Sequence, residues 1–306
     1  MLSQAYAVHA GSRDGLGTAI GVFVLIAVFW TGLFYALALA FPRLQQRMGR
    51  SSKEHENDRY WCARNITGTI HAIVVSAMVL PCFFVFNGAP GQVRFAYAPD
   101  HIGWCDSPEL EQAGFDAWVF PCQVTALAGT TFAAFTFADV FISGVHGMAT
   151  VDYMVHHFAF LSAAFIIRGN CMVPFNAAAL LAMEVSTPFL NTLLLLRNRG
   201  DAYSKYVPVL GIIFMVLYVL FRLVVSVYAV VVLFLHRNSA FPQSMPVWQA
   251  WFLSAAIFAG TAVQFFWFPK IAKTFGSGLV ELLQSSDVGK RESHQLPGDE
   301  PIRELG

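Results

Sequence analysis

Residues 147–170 read GMATVDYMVHHFAFLSAAFIIRGN and residues 171–192 continue CMVPFNAAALLAMEVSTPFLNT, and the reading of this stretch decides the fold. Two apolar runs, Phe158–Ile167 and Val173–Leu196, flank a polar break at Arg168-Gly169-Asn170. The pattern predicts an antiparallel helical hairpin with Gly169 and Asn170 in its turn. Asn170 stands 14 residues after His156 and 14 before Glu184. Folding there brings an imidazole and a carboxylate to the same depth in an otherwise apolar hairpin. Groups of that kind are costly in lipid, so they are expected to face a protein or water-lined interior.

The surrounding chain has the composition of a membrane protein. Of its 306 residues 56% are hydrophobic and 12% charged, against roughly 25% charged in soluble domains. Seven apolar runs near the length of a bilayer crossing stand out: Leu16–Phe41, Asn65–Phe86, Gln123–Val145, Val151–Ile167, Met172–Leu196, Val207–His236 and Val247–Phe268. The fourth is short, and it is read as a crossing because it pairs with the fifth. Long, uncleaved apolar sequence near the N-terminus predicts a first span that stays in place.

Lys and Arg set the expected orientation. With the N-terminus outside, the first inner loop holds Arg43, Arg47, Arg50, Lys53, Arg59 and Arg64. Arg197, Arg199 and Lys205 fall in the next, and Lys270, Lys273, Lys290, Arg291 and Arg303 in the tail. Outside are only Arg13, Arg94, Arg168 and Arg237. The N-terminus is therefore expected to be lumenal or extracellular and the C-terminus cytosolic. The chain divides into 1–61 (a first helix and a basic loop), 62–275 (the helical domain) and 276–306 (a disordered tail). Cys105 and Cys122 share one outer loop and could pair there. Nothing has the character of a nucleic-acid patch or a phosphate loop.

Ionisable residues inside the predicted spans are the candidate site: His71, Asp139, His156, His157, Glu184 and Arg222. Counted from their span boundaries they are expected to form one polar layer toward the cytosolic half. Neighbouring helix positions differ by about 100°, so His156 and His157 must point apart. Asp152 stands four before His156 and Tyr153 four before His157, placed to hold the rings. Plainer roles are available to each. Arg222 with Asp139 or Glu184 makes a buried ion pair, and His71 alone makes a hydrogen-bonded core residue. Pro188 frees the Glu184 carbonyl and kinks its helix. The two histidines and Glu184 lack the further spacing of a zinc or iron site, and no metal is assigned.

His156-His157, then Glu184-Val-Ser-Thr-Pro-Phe-Leu-Asn191, with Asp139 before and Arg222 after, resembles the TLC-domain family. That family includes ceramide synthases, translocating-chain-associating membrane proteins and smaller TLC-domain-containing proteins. The resemblance runs from about Asn65 to Lys273. It implies an all-α integral membrane fold of about seven helices, six of them forming a barrel around a lipid-sized cavity. In ceramide synthases a His-Asp follows the paired histidines by some 27 residues. Met183-Glu184 stand there here, and Ser186-Thr187-Pro188 is similar to the smaller members. The implied function is lipid binding and influence on membrane lipid composition, with membrane lipid as partner: a fatty acyl chain, on a sphingoid base or a phospholipid. His71, Arg222, Asp152 and Tyr153 would then line the lipid site. The other reading is an acyl-CoA-dependent N-acyltransferase, with His156 or His157 as general base and Asp139 or Glu184 orienting the ring. No cofactor is implied beyond acyl-CoA as co-substrate. An endoplasmic reticulum or other endomembrane location follows from the family, and self-association into a homo-oligomer is compatible with it.

Overall fold

The computed structural model describes residues 13–89, 116–170, 172–241 and 246–294, and among these there is no strand. The helices are α1 (Arg13–Met48), α2 (Arg59–Asn87), α3 (Asp116–Val145), α4 (Val151–Asn170), α5 (Pro174–Leu181) and α6 (Thr187–Leu196). They continue as α7 (Asp201–Ser204), α8 (Tyr206–Leu217), α9 (Ser226–Leu235), α10 (Arg237–Ala240) and α11 (Val247–His294). A 3-10 turn at Ala182–Ser186 joins α5 to α6, and a π-helical stretch at Tyr218–Val225 joins α8 to α9.

Six segments are long and apolar enough to cross a membrane: Ala19–Met48, Arg59–Asn87, Ala117–Val145, Pro174–Leu196, Asp201–Leu235 and Val247–Lys273. Their outward faces are apolar too. Leu39 is 76% exposed, Phe266 71% and Trp251 73%, which suits lipid and not water. The α4 helix has a shorter apolar portion, Tyr153–Ile167. Even so it runs the length of the bundle. Near its start, His146 stacks on Tyr60 at 3.8 Å, beside the beginning of α2. Beyond its end, Phe175 stacks on Phe83 at 5.8 Å, beside the end of α2. Its 20 residues give a rise of about 30 Å.

The turn of the α4–α5 hairpin lies beyond the predicted Gly169-Asn170. The α4 helix stays helical through Asn170. The chain reverses at Val173, which takes the left-handed conformation with φ 48° and ψ 51° directly before Pro174. Pro174 cannot extend α4 but suits the first turn of α5. Val173 is β-branched, so this backbone carries strain, held by complete burial of the side chain. Met172 N–H closes the end of α4 by donating to the Ile167 carbonyl. The shift carries Glu184 out of the predicted register with His156.

The break at Pro188 is also resolved locally. Pro188 has no N–H for the Glu184 carbonyl, and the Thr187 N–H bonds that carbonyl in a 3-10 turn instead. No freed carbonyl remains beside the carboxylate.

The main core gathers at the end of the bundle marked by Phe83, Phe86 and Phe175, with Ala178, Ala182 and Leu253. The opposite end carries the basic loops. There Asp58 caps α2, its carboxylate accepting from the Tyr60 and Trp61 N–H groups at 2.8 Å each. A 3-10 turn, Glu54–Asn57, precedes it. The α1 helix packs along α2 and α3. The α11 helix continues to His294, past Gly276, where the sequence predicts a disordered tail. Cys122 is buried in the main core; Cys105, its predicted partner, lies outside the described residues.

Candidate functional site

Among the described residues, the buried polar side chains do not meet around one chamber. They form separate groups, and the two adjacent histidines belong to different ones.

The first group centres on Asp139 in α3, which is 7% exposed. Arg64, one turn into α2, grips its carboxylate with two bonds, Nε to Oδ1 at 2.8 Å and Nη2 to Oδ2 at 3.1 Å. Such a fork-on-fork pair is the strong geometry for a buried ion pair. The Tyr153 hydroxyl donates to Oδ2 as well, and the Arg64 guanidinium lies 4.5 Å from the Tyr153 ring centre. His157 completes the group. Its Nδ1 is 2.9 Å from the Tyr153 carbonyl, which can only accept, so Nδ1 carries the proton. Its Nε2 faces Asp139 Oδ2 at 3.6 Å. Both nitrogens of His157 are thus turned inward, toward groups that tie α4 to α2 and α3.

His156 points the other way, as the 100° step requires. It faces a cavity of about 690 Å³ between α4 and α11, within the range of small-molecule sites, roughly 300–1,000 Å³. The walls are carbon: Val155, Ala159, Phe160 and Ala163 from α4, Leu180 from α5, and Ala256, Gly260 and Val263 from α11. His156 and Trp267 are the lining residues with a polar side-chain atom, and their ring centres are 5.7 Å apart. The mouth opens on the outer surface of the bundle. Its residues Val151, Val155 and Phe266 are 81%, 64% and 71% exposed. The cleft therefore lies at the side of the bundle, where the membrane would be.

Arg222 heads another group, and its partners correct the predicted ion pair. Its Nε donates to Ser186 Oγ and its Nη2 to Thr187 Oγ1, both at 2.9 Å. Nη1 reaches Gln264 Oε1 at 3.4 Å. The cation of Asp139 is Arg64, so Arg222 is held by neutral acceptors and not by Asp139 or Glu184. The π-helical stretch turns Arg222 toward α6 and α11, and the Ser226 hydroxyl takes the Arg222 carbonyl. Tyr218 donates to the Gln264 carbonyl at 2.7 Å.

His71 is 1% exposed and sits in an aromatic box. Its ring stacks on Phe135 at 3.9 Å and meets Trp30 edge-on at 5.4 Å. It lines neither the cleft nor the Asp139 group. Glu184 is partly buried in the 3-10 turn, and no described hydrogen bond joins it to either histidine. The Asp152 side chain lies outside the described residues. Among those described, no three His, Cys, Asp or Glu side chains gather as metal ligands.

Two features escaped the sequence reading. Arg64 counts there as a loop cation, one residue before the apolar run Asn65–Phe86, but the helix begins earlier, at Arg59, and carries it into the bundle, where a charge needs a partner. Asp139 is the one acid within α3 past its first residue, so the pairing had a signal. Trp267, Gly260 and Phe160 gave none, because apolar residues on a membrane helix read as lipid-facing filler.

A family model described as the TLC domain matches residues 63–273, more than half of the 306-residue chain. No curated protein matches, and neither does any solved structure. The matched segment holds the Asp139 group, the α4–α11 cleft and the Arg222 group together, and the chain belongs to the TLC-domain family.

Proposed function

We propose that this protein binds a membrane lipid, with an acyl chain in the α4–α11 cleft, and through it influences membrane lipid composition. One observation carries the reading: a 690 Å³ cleft with carbon walls, a mouth on the apolar outer surface, and an imidazole at one end. An amphiphile with a hydrogen-bonding head and a single chain fits that distribution of polarity. His156 bonds the head, and the walls take the chain. His157, Asp139, Arg64 and Tyr153 position the helix that carries His156. The basic end of the bundle, with Arg50, Lys53, Arg59, Arg197 and Arg199, faces the cytosol by the positive-inside rule, in an endomembrane.

A second reading shares the site. His156, facing the cleft, is placed to act as general base in an acyl-CoA-dependent N-acyltransferase. A long-chain amine loses a proton to the imidazole as its nitrogen attacks the thioester carbonyl. The C–N bond forms, the C–S bond breaks, and the thiolate of coenzyme A leaves with the proton.

The test is to purify the intact protein, identify lipid retained through native mass spectrometry, and then supply acyl-CoA with a long-chain amine. Retained lipid that falls in His156→Ala, with no amide formed by the wild type, supports binding. Amide formed by the wild type and lost in His156→Ala supports the enzyme. Wild-type protein that holds no lipid and makes no amide overturns both.

A further inference from the structure

Two residues of the cleft lining, one from each long helix, lie against each other. Phe160 reaches from α4 over to α11 and rests on Gly260: a Cβ added there would lie 3.2 Å from Phe160 Cζ and 3.6 Å from Cε2. Contacts near 3.2 Å are tighter than side chains tolerate without shifting, so Gly260 is what lets the ring lie against the α11 backbone. The same ring is 4.6 Å from His156 and 6.3 Å from Phe132 of α3, which holds it from behind.

Position along the cleft follows from the helix register. The His156 ring is near Trp267, and Phe160 meets Gly260, so α4 and α11 run antiparallel here. Ala163, Ala256 and Ile257 therefore lie on the far side of the crossing from His156, and Leu180 joins them from α5. Ala163 is about 10 Å beyond His156 along the helix. The two helix walls there present Ala163 and Ala256, whose side chains are single methyl groups, with Ile257 and Leu180 beside them. A chain whose head bonds His156 must pass Phe160 to reach them.

We propose that the Phe160–Gly260 crossing sets the length of acyl chain the cleft accepts. This rests on the reading of the cleft as a lipid site. Chains that end before the crossing need nothing of it, whereas longer ones require the ring to stay on the α11 backbone. Any side chain at position 260 pushes the ring into the path. The chain comes from the surrounding bilayer, because the mouth residues Val151, Val155 and Phe266 are apolar and exposed on that side.

The test uses the intact protein and a homologous series of saturated fatty alcohols carrying a photoreactive diazirine at the tail. Occupancy is read by native mass spectrometry, and the site of labelling by peptide mapping. In wild type the long probe labels the peptides holding Ala163 and Ala256. In Gly260→Leu the retention of the long probe falls roughly tenfold while that of the shortest is unchanged. Gly260→Ala gives a smaller change in the same direction and is the milder substitution for folding. Phe160→Ala in either background restores the long probe, which a general loss of stability would not do. Unchanged length preference in Gly260→Ala and Gly260→Leu, or no restoration by Phe160→Ala, overturns the proposal. Wild-type protein that retains no probe of any length removes the lipid reading, and this proposal with it.

Discussion

Two neighbouring histidines serve different ends here, and the division can be measured. His157 has both nitrogens inside the Asp139 group, whereas His156 faces the cleft. His157→Ala is expected to lower the unfolding temperature with the lipid preference intact. His156→Ala is expected to lose lipid with little change in stability. Arg64 and Asp139 give a sharper case, because breaking a buried pair strands a charge. Arg64→Ala alone should cost about 3 kcal/mol, and Arg64→Leu with Asp139→Leu much less. Thermal unfolding of both single variants and the double variant in detergent gives the coupling; additive losses would show that the pair is not a pair. At this scale the sequence was partly legible. The 100° rule separates the two rings with no structure in hand, and Tyr153 is correctly beside His157. The partner of Asp139 was misread, since Arg64 stands just before the apolar run Asn65–Phe86 and counts as a loop cation, whereas Arg222 lies inside a run; only three-dimensional proximity shows that Arg64 is the one that pairs.

Whole elements are tied together by a latch outside the membrane-spanning segments. The Glu56 side chain is 1% exposed, in the 3-10 turn before α2. It accepts from Ser51 Oγ at 2.6 Å, from Asn198 Nδ2 at 2.8 and 2.9 Å, and from Arg197 Nη2 at 3.0 Å. Arg199 adds a bond to the Glu56 carbonyl at 2.9 Å. Burial alone would push the Glu56 carboxyl up, but the bonds from Ser51, Asn198 and Arg197 outweigh it and hold it below its usual 4.5. A carboxyl held low in the folded state contributes fully above its unfolded value and loses the contribution as pH falls through the folded one. Unfolding temperature is therefore expected to be steady at neutral pH and to drop below about pH 4.5 more steeply in wild type than in Glu56→Gln. Equal slopes would place the titration elsewhere. A second contact tests helix packing: a Cβ on Gly211 of α8 would lie 2.7 Å from Phe275 Cδ1 on α11. Gly211→Ala should cost about 1–3 kcal/mol, recovered when Phe275→Ala is added. The helices themselves were legible from apolar run length. Their breaks were less so, because the turn moved to Val173 and the π-helical stretch has no residue pattern of its own.

At the scale of the whole molecule, composition and run length identified a helical membrane protein, while the family came from the resemblance carried by His156-His157 and Glu184–Asn191. They also anticipated a central polar chamber that the described residues do not form. Run length counts residues but does not say which face of a helix each one occupies, and the cleft lies on a face that reads as lipid contact. The path of α4 yields a prediction on topology. If α4 crosses the membrane, single cysteines at Ser52 and His236, in a protein stripped of its native cysteines, should react with a membrane-impermeant maleimide from opposite sides. Reaction of both from one side would mean that the basic and apolar-core ends of the bundle do not face opposite compartments.

The Glu56 latch reaches further than its own loop. Ser51 and Glu56 lie before residue 63, where the family match begins, while Arg197, Asn198 and Arg199 lie within it. Trp30 of α1, likewise before that point, closes one wall of the box around His71. A boundary drawn by likeness thus cuts across these contacts: a chain shortened to its recognisable part would strand two arginines and open a buried imidazole to the lipid.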